Sequence, residues 1–176
     1  MSKLGVQHVF AVIALASMHL TQAQDLGCSS AVSLDGGTIE VEADASGDDT
    51  ENIQCALDAA IDGGYRDVFL TSPDYSIGAI AVTGFIGDLR GRSKANTTVT
   101  IQDSSLSCDE SIGVALEFRV GTASVRNMTL SVDSPCGDGS SASVIAYYSN
   151  PAQCSKRTTF GNVDRVVITG TSTSGL

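Results

Sequence analysis

Apolar and polar positions along the chain fall into three patterns. The first is helical: Ile53, Leu57, Ala60 and Ile61 recur at helical spacing and predict one amphipathic helix over 50–61. Asp48 is the candidate cap, Glu51 completes a capping-box-like pair, and Asp62-Gly63-Gly64 supplies the stop. Cys55 falls on the face opposite Ile53 and Leu57, where a bridge to the segment before the helix can reach it. The second pattern is strict alternation, in 85–91 and 114–120, which predicts half-buried strands. The third is an apolar residue, two residues, an apolar residue, one residue, an apolar residue. It recurs at Ile77/Ile80/Val82, Val125/Met128/Leu130 and Val163/Val166/Ile168, and reads as a corner followed by a strand with each apolar side chain turned inward. Val68-Phe69-Leu70 is a further compact apolar run. Strand follows strand after the helix with no second helical pattern, which argues against βαβ units and leaves a β-sandwich or a β-solenoid.

The start of the chain is of another kind. Lys3, the apolar run 9–18 and the small residues Thr21 and Ala23 form the three regions of a signal peptide over 1–23, with cleavage before Gln24. The apolar run is too short to span a bilayer, so no transmembrane segment is expected. A lipid anchor on Cys28 fits less well, because the apolar run ends well before Asp25-Leu26-Gly27. The protein is expected to be secreted or at the cell surface. Residues 24–47 form an acidic, Gly/Ser-rich lead-in, and 48–176 the strand-rich domain.

Composition then narrows the chemistry. The chain has 176 residues, so export leaves one domain with a real core. Both histidines, His8 and His19, lie in the signal segment. A mature chain without imidazole excludes Ser-His-Asp and Cys-His nucleophilic sites and His-ligated zinc. Lys and Arg number 10 against 20 Asp and Glu, so nucleic acid and anionic membranes are poor partners. Acidic polysaccharide is disfavoured at long range, while Arg90, Arg92 and Lys94 form the only basic strip. Cys28, Cys55, Cys108, Cys136 and Cys154 suit disulfides in an exported protein, with one left over and the connectivity open. Asn96-Thr-Thr98 and Asn127-Met-Thr129 are glycosylation sequons.

Asp49 to Thr100 carries a more specific order. The segment Asp49-Thr-Glu-Asn-Ile-Gln-Cys-Ala-Leu-Asp-Ala-Ala60 precedes Gly63-Gly64, Val68-Phe-Leu70 and Pro73-x-Tyr75-x-Ile77. Phe85-Ile-Gly-Asp-Leu-Arg-Gly91 and Ser93-Lys-x-Asn-Thr-Thr98 follow. This resembles the N-terminal part of right-handed parallel β-helix proteins, the pectin-lyase-like group, and 163–169 looks like a later strand of the same kind. The resemblance implies an all-β fold, a right-handed parallel β-helix solenoid over 48–176 with one N-terminal capping helix. It also implies tight bends at Gly87, Gly91 and Gly121. The C-terminal strand lacks a polar cap, so the expected partners include a C-terminal continuation or a pairing strand.

Many members of that group are polysaccharide lyases or glycoside hydrolases, but their Asp-Asp, Gly-His-Gly, Arg-Ile-Lys and Trp-Ile-Asp-His stretches are absent here. The local candidates read more simply as structure. Glu40, Glu42, Asp44, Asp48 and Asp49 lack an EF-hand's spacing. Asp109-Glu110 would face opposite ways on a strand, and Asp133 and Asp138 flank a turn. Tyr147-Tyr148 reads as one core ring and one surface ring. No catalytic, cofactor-binding or metal-ligating residue is assigned, and no cofactor is expected. The expected function is binding or structural, with polysaccharide as the candidate partner. The alternative is the front part of a carbohydrate-active enzyme whose site lies beyond residue 176; a small adhesive sandwich ranks third.

Overall fold

The structure, a computed structural model, describes residues 26–102, 114–133, 143–148 and 160–171. Its first elements are β1 (Val32–Asp35), β2 (Thr38–Val41), α1 (Thr50–Gly63), β3 (Asp67–Leu70), β4 (Asp74–Ile77) and β5 (Ile80–Thr83). Then come β6 (Ile86–Arg90), β7 (Thr98–Ile101), β8 (Val114–Arg119), β9 (Thr122–Asp133), β10 (Ser143–Tyr148) and β11 (Phe160–Thr171).

The architecture corrects the expected fold class. It is mixed α/β: an eight-stranded sheet, a three-stranded sheet, and one helix packed against strands. The described strands form two sheets and no solenoid, so neither the all-β class nor the pectin-lyase-like fold stands. The large sheet begins with an antiparallel pair, β1 with β2, and continues parallel through β3, β6, β9 and β11, with β7 and β4 also reached from β9. The small sheet runs β10-β8-β5, all parallel. The crossover from β2 to its parallel neighbour β3 passes through α1, a βαβ unit that the strand pattern argued against, while the crossovers between the later parallel pairs include strands of the other sheet.

A second correction concerns the lead-in. Residues 32–41 form a hairpin whose turn places Gly36 and Gly37 at φ of 55° and 92°. Gly36-Gly37 form the turn, with Asp35 at the end of β1 paired to Thr38 at the start of β2.

α1 occupies the expected segment and ends at Gly64 in the left-handed conformation (φ 71°). Ile53, Ala56, Leu57 and Ala60 are buried, whereas Ile61 is only half-buried. The helix starts differently from the expectation. Asp48 accepts hydrogen bonds from the Thr50 amide and hydroxyl, while the N-cap residue is Asp49, whose side chain makes no capping bond. The Asp49 carboxylate instead accepts from the Asp44 amide at 2.5 Å and the Ser76 amide at 2.8 Å, tying lead-in, helix and β4 together. Two more helix side chains serve strand ends. The Gly78 amide donates to Thr50 Oγ1, and Gln54 both accepts from the Ala81 amide and donates to its carbonyl. The helix thereby satisfies backbone groups along β4 and β5 that would otherwise face water unpaired. Cys55 bridges to Cys28, so the helix face opposite the core is tied to the lead-in.

Two of the three corner patterns share a backbone device, and the first is a break between strands. Ile77 ends β4 and Ile80 begins β5, while Asn127 and Arg165 take φ of 56° and 53° inside β9 and β11. A left-handed residue turns the chain and resets which side chains face inward, which is why one extra residue separates the first two apolar positions. Ile77, Ile80 and Val82 are buried, as are Val125, Met128 and Leu130. The third set departs from the pattern: Val163 is 48% and Ile168 56% exposed. Gly121 sits where the chain passes close to its neighbour, since a Cβ there would run into the Phe85 carbonyl oxygen.

Candidate functional site: the outer face of the large sheet

Side chains alternate across a sheet, so the residues between the buried positions of β2, β3, β6, β9 and β11 share the outer face. Strand register stacks them in two columns. One runs Thr38, Asp67, Asp88, Ser124, Asn162; the other runs Glu40, Phe69, Arg90, Arg126, Asp164. Local sequence produces this through polar-apolar-polar triplets. Val68, Leu89 and Val125 are drawn into the core and leave their neighbours facing out.

A diagonal ion pair repeats between the columns. Asp67 accepts from Arg90 Nε at 2.6 Å and Nη2 at 2.7 Å, and from Thr38 Oγ1 at 3.0 Å. One strand further on, Arg126 Nη2 pairs with Asp88. The Arg90 guanidinium also lies over the Phe69 ring, 4.0 Å from its centroid. Arg126 Nε is shielded from solvent and has no acceptor among the described residues. On β11 the arginine position is taken by Asp164, so the repeat ends there.

Electrostatics decide what this face can do. Partial burial pushes the Asp67 carboxyl up, but the Arg90 and Thr38 hydrogen bonds and the charges of Arg90 and Arg126 outweigh it and hold it below the ordinary carboxylate range. Asp67 in turn raises Arg90, against its desolvation. Asp67 and Asp88 are register partners on one face. Asp67 is fully ionised at neutral pH and engaged by a fork of two N–H groups, so it has no proton to give. The ladder is a fixed array of hydrogen-bond donors and acceptors.

Other candidates from the sequence separate in space. Of the basic strip, Arg90 belongs to the ladder, while Arg92 and Lys94 are exposed in the following turn. The acidic group 40–49 is dispersed: Glu40 lies on the outer face, Asp44 accepts from the Ser46 amide, and Asp48 and Asp49 bind backbone around the helix start. No set of three or more metal-ligating side chains comes together among the described residues. Tyr147 stacks on Phe118 with centroids 5.5 Å apart, and Tyr148 is 42% exposed, which matches one core ring and one surface ring. Asn96 is exposed in a turn, whereas Asn127 is half-buried at the corner of β9. Asp109, Glu110, Asp138, Cys108, Cys136 and Cys154, and the side chain of Asp133, lie outside the described residues.

Asp67, Asp88 and Arg126 went unread in the sequence because they belong to three separate strands and to no linear motif. A signal exists in retrospect: the triplets Asp67-Val-Phe69, Asp88-Leu-Arg90, Ser124-Val-Arg126 and Asn162-Val-Asp164 align in register. Comparison with family models, curated proteins and solved structures gave no match.

Proposed function

We propose that this is an exported, non-catalytic binding and structural module, and that the outer face of its large sheet contacts neutral polysaccharide. The observation that carries this reading is the Asp67–Arg90 and Asp88–Arg126 ladder. It fixes donors and acceptors at the strand spacing on a rigid surface while leaving Asp67 without a transferable proton. Sugar hydroxyls both donate and accept, so they suit such an array, and the chain's formal charge of −10 favours a neutral polymer over an acidic one. The Cys28–Cys55 bridge is compatible with an oxidising compartment.

The test is retention of the purified protein on insoluble β-glucan and xylan, with polygalacturonate as the acidic comparison. Wild type is expected on the neutral polymers, and the Arg90→Gln/Arg126→Gln variant to bind about tenfold more weakly, a loss of about 1.4 kcal/mol. Circular dichroism checks that the variant stays folded. Equal retention of the two proteins, or none on any polymer, removes the ladder from the function. Release of new reducing ends or unsaturated products would make the protein an enzyme.

A further inference from the structure

The two ends of the large sheet are finished differently. At the β1 end the edge strand is four residues long, antiparallel, and carries Ser33 and Asp35, while at β4 and β5 the N-cap Asp49 and the α1 residues Thr50 and Gln54 bind strand backbone. These features discourage further pairing. β11 at the other end is twelve residues long and pairs, among the described strands, with β9 alone. It continues the core columns of β9, with Val163 beside Val125, Val166 beside Met128 and Ile168 beside Leu130. The β9 members are fully buried, whereas Val163 and Ile168 stand about half exposed; Phe160, on the outer face, is 62% exposed. An apolar strand edge of this length calls for a cover.

We propose that β11 pairs antiparallel with β11 of a second copy of this chain, about a two-fold axis passing between Asp164 and Arg165. The corner at Arg165 is what makes the strand self-complementary. Gly161 and Val163 precede it facing inward, Val166 and Ile168 follow it facing inward, and the two halves are nearly mirror-ordered. With the axis at the corner, Val163 lies opposite Val166 of the second copy and Gly161 opposite Ile168, so core side chains meet core side chains. Asn162 and Phe160 meet Val167 and Thr169 on the outer face. Asp164 comes beside the Arg165 of the second copy. These two side chains now pair with each other at 3.1 Å within one exposed surface, so the exchange preserves charge complementarity. Head-to-tail stacking is disfavoured because the β1 end offers no long parallel edge. The isologous pair therefore closes as a dimer rather than a filament. This edge adjoins the Asp67–Arg126 ladder through β9, with Asp164 beside Arg126, but the inference does not rest on polysaccharide binding.

The experiment is sedimentation equilibrium of the full purified chain over a range of concentrations, under reducing and non-reducing conditions. A reversible dimer is expected that survives reduction. Val163→Asp, at a position already half exposed in the single chain, is expected to raise the dissociation constant about a hundredfold by desolvating a carboxylate in the new core. Arg165→Asp alone sets like charges together and weakens the dimer, and Asp164→Arg/Arg165→Asp restores it. A Val163→Cys/Val166→Cys variant is expected to form intermolecular 163–166 disulfides, identified by peptide mass. A monomer at all concentrations up to about 1 mM overturns the proposal. So does a dimer indifferent to Val163→Asp, failure of the charge swap to restore association, cross-links only between like positions, or occupation of the β11 edge by another part of the same chain.

Discussion

Removing the Asp67 carboxylate charge tests the electrostatic account of the ladder most directly. Asp67→Asn keeps the side chain's shape and its ability to accept from Thr38 Oγ1, but leaves Arg90 with a neutral partner. The Asp67 and Arg90 side chains are 29% and 30% exposed, so their bidentate pair falls between a buried charge-assisted bond and a surface ion pair. Bonds to charged groups contribute about 1.5–3 kcal/mol and exposed pairs about 0.2–1, which places the Asp67–Arg90 coupling near 1–2 kcal/mol. A double-mutant cycle with Arg90→Gln, read by urea unfolding with the disulfide intact, isolates that energy from each side chain's other contacts. Its pH dependence has a definite sign. The folded carboxyl titrates below the ordinary value of 3.8, so the coupling is fully present above that value and disappears as pH falls through the lower folded value. Wild type and Asp67→Asn should therefore differ most near neutrality and converge in strong acid. A coupling below about 0.3 kcal/mol at neutral pH, or one unchanged in acid, would refute the claim that Arg90 holds this carboxylate ionised.

Two stability predictions concern other parts of the fold. Gly121→Ala places a Cβ against the Phe85 carbonyl oxygen, which accepts from the Thr122 amide at 3.0 Å; the resulting displacement should cost about 1–3 kcal/mol, read as a lower urea midpoint. Cys28→Ser/Cys55→Ser opens a link spanning 27 residues, and loop-closure entropy puts the loss near 3–4 kcal/mol. Hydrogen exchange should show that loss first in the lead-in and α1, and an unchanged melting temperature would mean the bridge is dispensable.

Local patterns in the sequence reached as far as single elements. The spacing of Ile53, Leu57 and Ala60 located α1, Gly64 ended it, and the placement of Cys55 opposite that face anticipated a bridge to the lead-in. Two of the three apolar-corner patterns marked left-handed bends, at Asn127 and Arg165, and the other marked the break between β4 and β5. Assembly was harder to read. Val32 to Val41 went unread as strands because each apolar alternation there is only four residues long, yet pairing with β1 and β3 places β2 in the large sheet. Asp48 was the better cap by pattern and does bind the Thr50 amide, but the helix starts one residue later, with Asp49 at the N-cap binding the Asp44 and Ser76 amides instead of helix N–H groups. The same alternation and corner patterns fit several strand assemblies, and the expected solenoid gave way to two mostly parallel sheets with a helix packed on them.

What the sequence determined by itself was therefore short-range: where the helix runs, which residues turn inward and where the chain bends. Those features depend on neighbours within a few residues, where period and backbone conformation are sufficient. Only tertiary structure decided that Asp67 meets Arg90 and Asp88 meets Arg126, and that Val125 is sealed while its register partner Val163 stands half open. Both outcomes depend on strands far apart in the chain lying side by side. A side chain's charge state and burial are set by whatever occupies the adjacent strand, and no local pattern records that neighbour.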